Sequence, residues 1–187
     1  CAFHNDGDAQ GAFDELMLEL DARPIRSIEG RPGITRGVAL QAVAQAMYDE
    51  LAWPELSRAL TSAQRGDGTG LLRLYDDYYA YNGDGTWGNE LEAFQTIYCM
   101  DTDERRSVEE DDATAPVLME AAPRFSPHTT GAYFCTFFLS PTDPLIEVTG
   151  TGAGPIVLCG TTGNASTPVE GTRAMAIEAD RMRVDRP

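Results

Sequence analysis

The segment with the most chemical content runs Pro155-Ile156-Val157-Leu158-Cys159-Gly160-Thr161-Thr162-Gly163-Asn164-Ala165-Ser166-Thr167-Pro168. A short continuous apolar run ends in Gly-Thr-Thr-Gly, a polar residue follows, and Thr-Pro opens a helical pattern. Such a run reads as a strand buried on both faces of a parallel sheet. Loops at the carboxyl ends of these strands carry sites. A carboxylate just past the strand can orient a catalytic His. An ordinary turn between a strand and a helix accounts for the segment equally well.

Other reactive side chains are few. The sequence holds 14 basic residues, all of them Arg, and two His, His4 and His128. Without Lys there is no P-loop lysine, no Schiff-base lysine and no Ser–Lys dyad. A zinc site with two His ligands would need His4 and His128 together, and they stand far apart in the chain. Neither has an adjacent acid. His4 belongs to a solvent-facing terminus and His128 to a helix start. The nucleophile elbow G-x-S-x-G does not occur. The Asn82–Gly85 loop resembles the centre of a calcium loop. Its register puts Ala80 and Leu91 where carboxylates are required, so it reads as a Gly-rich helix connector. The acids from Asp101 to Asp112 suit a hydrated face better than a paired-carboxylate site. Asn164-Ala165-Ser166 matches a glycosylation sequon, a short and frequent pattern. No cofactor and no metal is expected.

The four cysteines are Cys1, Cys99, Cys135 and Cys159. None forms a CxxC pair, which counts against zinc and thioredoxin-like chemistry. Cys99 ends an amphipathic helix pattern and Cys135 lies in an aromatic one. Both suit core thiols, but an even count with high acidity fits an exported protein with a disulfide. Cys99–Cys135 is the favoured bridge, tying two helices across roughly 35 residues. Cys159 falls in the buried-strand pattern and is expected to be inert. Because the first residue is Cys1, the chain reads as processed or as an excerpt. A mature lipoprotein also begins with Cys, but Phe3 and a helix-like segment follow where a polar tether belongs.

The formal net charge is −16, with 30 acidic side chains. That charge repels phosphate backbones and argues against a nucleic-acid partner. Apolar residues make up 42% of the sequence and mean hydropathy is −0.29, as in a folded domain. No apolar run approaches the roughly 20 residues that span a membrane.

The elements that must position these residues are mostly helices. Residues 8–22 carry Phe13, Leu16, Met17 and Leu20 on one stripe, with Asp8 a candidate cap. Residues 23–33 form an extended connector rich in Pro and Gly. A helix starts near Thr35, an N-cap type, with Val38, Leu40, Val43, Met47 and Leu51 on its apolar face. Trp53-Pro54 restarts a helix through Leu56, Leu60 and Ala63. Gly66-Asp67-Gly68 breaks it, and Thr69 can cap the next, with Leu71, Leu72, Leu74 and Tyr75. Residues 89–100 carry Leu91, Phe94, Ile97 and Tyr98. Residues 107–122 continue as helix with a disturbance at Pro116. Residues 128–139 are aromatic, and a Gly- and Pro-rich stretch marks a boundary near 150. A helix from Pro168 closes the sequence. The reading is a helical domain over 1–150 and one strand–loop–helix unit over 151–187. A lone parallel strand needs neighbours that this sequence does not supply.

At Gly160-Thr161-Thr162-Gly163-Asn164-Ala165-Ser166-Thr167-Pro168 the sequence resembles secreted actinobacterial α/β-hydrolases of the tripeptidyl aminopeptidase type. Their TAP-like C-terminal region carries a pattern close to P-V-L-V-x-G-T-x-x-D-P-A-T-P. The helical part is also similar to that family's lid, at Arg36-Gly37-Val38-Ala39-Leu40, Tyr48 through Trp53-Pro54-Glu55-Leu56, Gly66-Asp67-Gly68 with Leu71-Leu72, and Ile97 to Asp101 around Cys99. The resemblance covers most of residues 30–183 and rests on order and spacing.

The resemblance implies a mainly α chain: a helical cap (lid) followed by one strand–loop–helix unit of an α/β-hydrolase sheet. It implies part of a secreted or cell-envelope serine hydrolase, an aminopeptidase or esterase, acting on a peptide or ester. The nucleophilic Ser and the catalytic His would lie outside this chain, which would be inactive without the rest of the hydrolase core. The family's triad Asp falls on Asn164. A degenerate enzyme, an acid supplied by Glu170, or a sequence variant would each account for that. The alternative is a non-catalytic helical binding module of hydrolase ancestry. Aromatics of the cap (Trp53, Tyr75, Tyr78, Tyr79, Trp87, Phe94) are expected mainly in the core, with one or two lining an apolar cleft.

Overall fold

The structure, a computed structural model, describes residues 2–102, 105–141, 154–164 and 167–184, without the side chains of 128 and 178–184. The chain divides into two units, Cys1–Thr142 and Asp143–Pro187. The described residues are mainly helical.

The first unit begins with a bundle. Helix α1 (Ala9–Ala22) starts at Asp8, whose carboxylate accepts the Gly11 N–H at 2.8 Å. Helix α2 (Arg36–Ala46) starts at Thr35, whose hydroxyl accepts the Val38 N–H at 3.4 Å. Helix α3 (Trp53–Ala63) has Pro54 in its first turn, where a missing N–H costs nothing. Helix α4 (Thr69–Tyr78) starts one residue after Gly68. Its cap differs from the expected Thr69: the Asp67 carboxylate accepts the Thr69 N–H at 3.0 Å and is held below its ordinary pKa by Thr69.

Helix α4 packs on α2 and α3, and α1 packs on α2. Leu16, Leu20, Leu40 and Leu71 are fully buried between them, and Ala39, Ala42 and Ala46 let α2 approach its neighbours closely. The connector pairs Ile25 with Ile34 in an antiparallel bridge, which buries Ile34 under the bundle. Gly68 is obligatory there. A Cβ at 68 would stand 2.8 Å from the Arg26 carbonyl oxygen and 2.3 Å from Ile34 Cγ1. Met47 and Leu51, expected on the α2 stripe, are exposed. The helix ends at Ala46, and a tight 3-10 turn at Glu50–Ala52 rotates them off its inner face.

Past residue 80 the construction changes. Tyr81 and Trp87 bridge across a turn, and Asp84 accepts the Thr86 N–H at 2.9 Å and its hydroxyl at 2.6 Å. The Arg31 guanidinium lies 3.9 Å over the Tyr81 ring and donates to both Asp76 carboxylate oxygens, at 3.1 and 2.6 Å. Helix α5 (Glu90–Asp101), helix α6 (Val108–Ala121) and the short α7 (Ser126–Thr129) follow. Helix α6 starts with a capping box: Ser107 Oγ accepts the Glu110 N–H, and Glu110 accepts the Ser107 N–H. Pro116 stands inside α6 without dividing it. Arg124 donates to both Asp14 oxygens at 2.7 and 2.8 Å, and Phe125 packs against the bundle core. Among the described residues after Ala80, only Cys99 and Ser126 are buried. Trp53, Trp87 and Phe94 are exposed, contrary to the core role expected of most cap aromatics.

In the second unit, residues 154–161 run without a ladder partner among the described residues, and helix α8 (Val169–Val184) follows. The expected burial is not found: Ile156 is 60% and Val157 85% exposed, and Cys159 is a free, exposed thiol. Burial on both faces needs strands on either side, and the described residues provide none. No helix of the described residues is long and apolar enough to cross a membrane.

Candidate functional site

Two places hold the candidate residues. The first lies around the disulfide. Cys99 and Cys135 are bonded, with their Cα atoms 5.4 Å apart. The bridge is the favoured pair, but Cys135 is not on a helix. Residues 131–139 form a series of turns, with Gly131 at φ 73° and Tyr133 at φ 46°. Thr, Cys and aromatic residues are mediocre helix formers, and the two left-handed residues end any continuation from α7.

That turn segment is pinned to α5 by groups other than the bridge. Gln95 Nε2 donates to the Phe134 carbonyl at 2.7 Å. The Arg105 guanidinium donates to the carbonyls of Cys99, Thr102 and Leu139. A cation there also faces the negative end of the α5 dipole. The Tyr133 hydroxyl donates to Asp112 at 2.9 Å, and this bond, with the nearby carboxylates, raises its pKa.

Between α5, the turns and the first turn of α6 lies an open pocket of about 320 Å³. It is lined by Phe94, Tyr98, Phe134 and Cys135, with Arg106 and Asp111 among its polar groups. Of the described acids of the run, Asp101, Glu109, Glu110 and Asp112 are exposed, as a hydrated face requires, and Asp111 lines the pocket. The sequence pattern marks Asp111 only as one acid of the run and gives Arg105 and Arg106 no role of their own. Two Arg directly after a helix end are a cue for carbonyl capping, but nothing local pairs them with an aromatic turn about thirty residues on.

The second place is the loop before α8. Asn164 is exposed, and its side-chain oxygen accepts the Thr167 N–H at 3.0 Å. Glu170 stands in the first turn of α8, exposed and 3.6 Å from Arg173. Ala165 and Ser166 of the sequon lie outside the described residues, as do Cys1 and the boundary stretch 142–153. His4 accepts the Asp6 N–H at 3.0 Å through Nδ1, in a 3-10 turn at the chain start. His128 falls within α7, and its side chain is not described. Among the described residues no group of His, Cys, Asp and Glu is arranged to hold a metal ion.

No family model matches the chain. It is 28% identical over 164 residues to carboxylesterase B of Mycobacterium tuberculosis, across 84% of this chain and 31% of that protein. The same identity and coverage hold for a protein of Mycobacterium bovis whose name describes it as a hydrolase. The chain therefore spans less than a third of the length of the curated relatives it matches.

Proposed function

We propose that the chain is the helical cap and an adjoining core segment of a secreted or cell-envelope serine hydrolase of the tripeptidyl aminopeptidase type. The parent cleaves peptides from an end or hydrolyses esters, and it takes its nucleophilic Ser and catalytic His from outside this chain. The observation that carries this reading is the similarity to carboxylesterase B across 84% of the chain. The disulfide and the acidic surplus support an oxidising compartment.

In this reading residues 1–150 form the cap that selects substrate, and 151–187 bring the triad's third position to the core. Asn164 stands at that position, ahead of α8. Its carbonyl oxygen can hold an imidazole N–H, but it carries no charge to stabilise the imidazolium. Restoring the carboxylate tests this. Asn164→Asp in a parent protein of the relatives' length is expected to raise turnover on chromogenic esters and aminoacyl substrates. An unchanged or lower rate removes Asn164 from the triad. A fluorophosphonate probe is expected to label that parent at one Ser and to leave the 187-residue chain unlabelled.

A non-catalytic binding module is the second reading, and Asn164 in place of an acid favours it. A parent that no fluorophosphonate labels would establish the module and end the hydrolase reading.

A further inference from the structure

We propose that the exposed apolar face formed by α5 and the turns bridged to it is a docking surface for the remainder of the parent polypeptide. This extends the reading of the chain as one segment of a longer hydrolase, and rests on it. Helix α5 contributes Phe94, Ile97 and Tyr98, which stand on one side of the helix and are exposed. The turns contribute Phe134, Phe137 and Leu139, which are 40%, 77% and 83% exposed. The two parts join where the Phe134 ring meets those of Phe94 and Tyr98, at centroid distances of 6.2 and 5.7 Å. The Cys99–Cys135 bridge, the Gln95 bond to the Phe134 carbonyl, and the Arg105 bonds to the Cys99 and Leu139 carbonyls fix them to each other.

Helix α5 has 12 residues, and the one it buries is Cys99. A helix this short takes most of its stability from packing its apolar face. In the bundle that packing is present, with Leu71, Leu72 and Leu74 of α4 buried against α2 and α3. On α5 the apolar face is assembled and held by crosslinks, yet the described residues leave it open. Single apolar residues on a surface are ordinary, whereas a joined group of this kind marks a contact.

Length, connectivity and charge name the occupant. The chain spans 31% of the length of carboxylesterase B, so most of a parent of that length lies outside it. The turns end just before the first unit closes at Thr142, so the polypeptide leaves that unit close to Leu139 in sequence. A partner continued from that point is tethered, and its docking is intramolecular. A second copy is the poorer fit. Each chain carries a net charge of −16, and a symmetric contact brings together two sets of the acids that open α5 and α6, Glu90, Glu92, Glu109 and Glu110. The complement is an apolar surface rimmed by basic side chains.

Hydroxyl-radical footprinting of the 187-residue chain and of a parent of the relatives' length tests this. The six side chains are expected to oxidise freely in the chain alone and about tenfold more slowly in the parent. Ile97→Asp puts a charge on the face. It is expected to leave the melting temperature of the chain alone unchanged, and to return Phe94 and Phe134 in the parent to the reactivity they have in the chain alone. Equal oxidation in chain and parent, protection that falls on exposed Leu51 of the bundle and not on the six, or protection that survives Ile97→Asp would each overturn the proposal. Concentration-dependent protection in the chain alone would assign the face to a second copy and overturn it too. Fluorophosphonate labelling is read on the same parent. A labelled parent with an open face ends the docking and leaves the hydrolase; an unlabelled parent with a covered face ends the hydrolase and supports the docking.

Discussion

Helices α4 and α5 both carry apolar residues at helical spacing. On α4 the stripe Leu71, Leu72 and Leu74 is buried against α2 and α3. On α5 Phe94 is 58%, Ile97 60% and Tyr98 48% exposed. The bundle is held by contact between helix faces. The α5 region is held by a disulfide, an Arg directed at carbonyls, and rings touching rings. An apolar period therefore states that a face exists, not what covers it. The first construction is robust to losing a polar contact and sensitive to losing volume; the second is the reverse.

The largest expected effect tests the bundle. Leu71→Ala should cost about 3–4 kcal/mol, since the side chain is fully buried and a cavity remains. Urea denaturation measures it, and a loss below about 1 kcal/mol would deny the bundle its core. Replacing both Cys99 and Cys135 by Ser comes next. Releasing a crosslink across 36 residues should cost about 3 kcal/mol. Hydrogen exchange should show lost protection over 90–139 and retained protection in α1–α4. Equal loss in both would make them one cooperative unit and end the comparison.

A smaller effect concerns the attachment between the two regions. Arg124, by hydrogen bonding, holds the Asp14 carboxyl below its ordinary pKa. A lowered folded-state pKa contributes stability above the ordinary carboxylate value, and that contribution is lost as pH falls through the lowered one. Acid should therefore release Arg124 from Asp14, and Arg124→Gln should abolish that pH dependence without disturbing α4. NMR titration of the Asp14 carboxyl follows it. The smallest effect is that of Phe94→Ala, which should change stability by about 0.5 kcal/mol or less because the ring is largely exposed. A loss comparable to that of Leu71→Ala would show that α5 has a buried face after all.

Much of the helical layout was legible residue by residue. Asp8 and Thr35 cap where their side chains meet free N–H groups, and Pro54 and Gly66 mark a start and a stop. These are interactions within one turn of chain, so spacing alone reveals them. The Cys99–Cys135 bridge was legible from cysteine count and placement. The helix under Cys135 was not, because an aromatic period cannot report that Gly131 and Tyr133 turn left-handed. The apolar run at 155–160 is exposed because burial on both faces needs neighbouring strands, which the described residues do not supply. The pocket was invisible in advance, since it joins Phe94, Asp111 and Phe134 from separate stretches.

The sequence by itself determined where most of the bundle helices begin, which cysteines can meet, and that Asn164 precedes a helix opened by Thr167-Pro168. Caps, turns and apolar periods act over a few residues, and their free energies are set locally. Only the tertiary structure decided which apolar faces are covered, that Arg31 lies over Tyr81, and that three rings and a carboxylate share one cavity. Those outcomes depend on surfaces brought together across tens of residues, and burial is settled by what arrives on the other side.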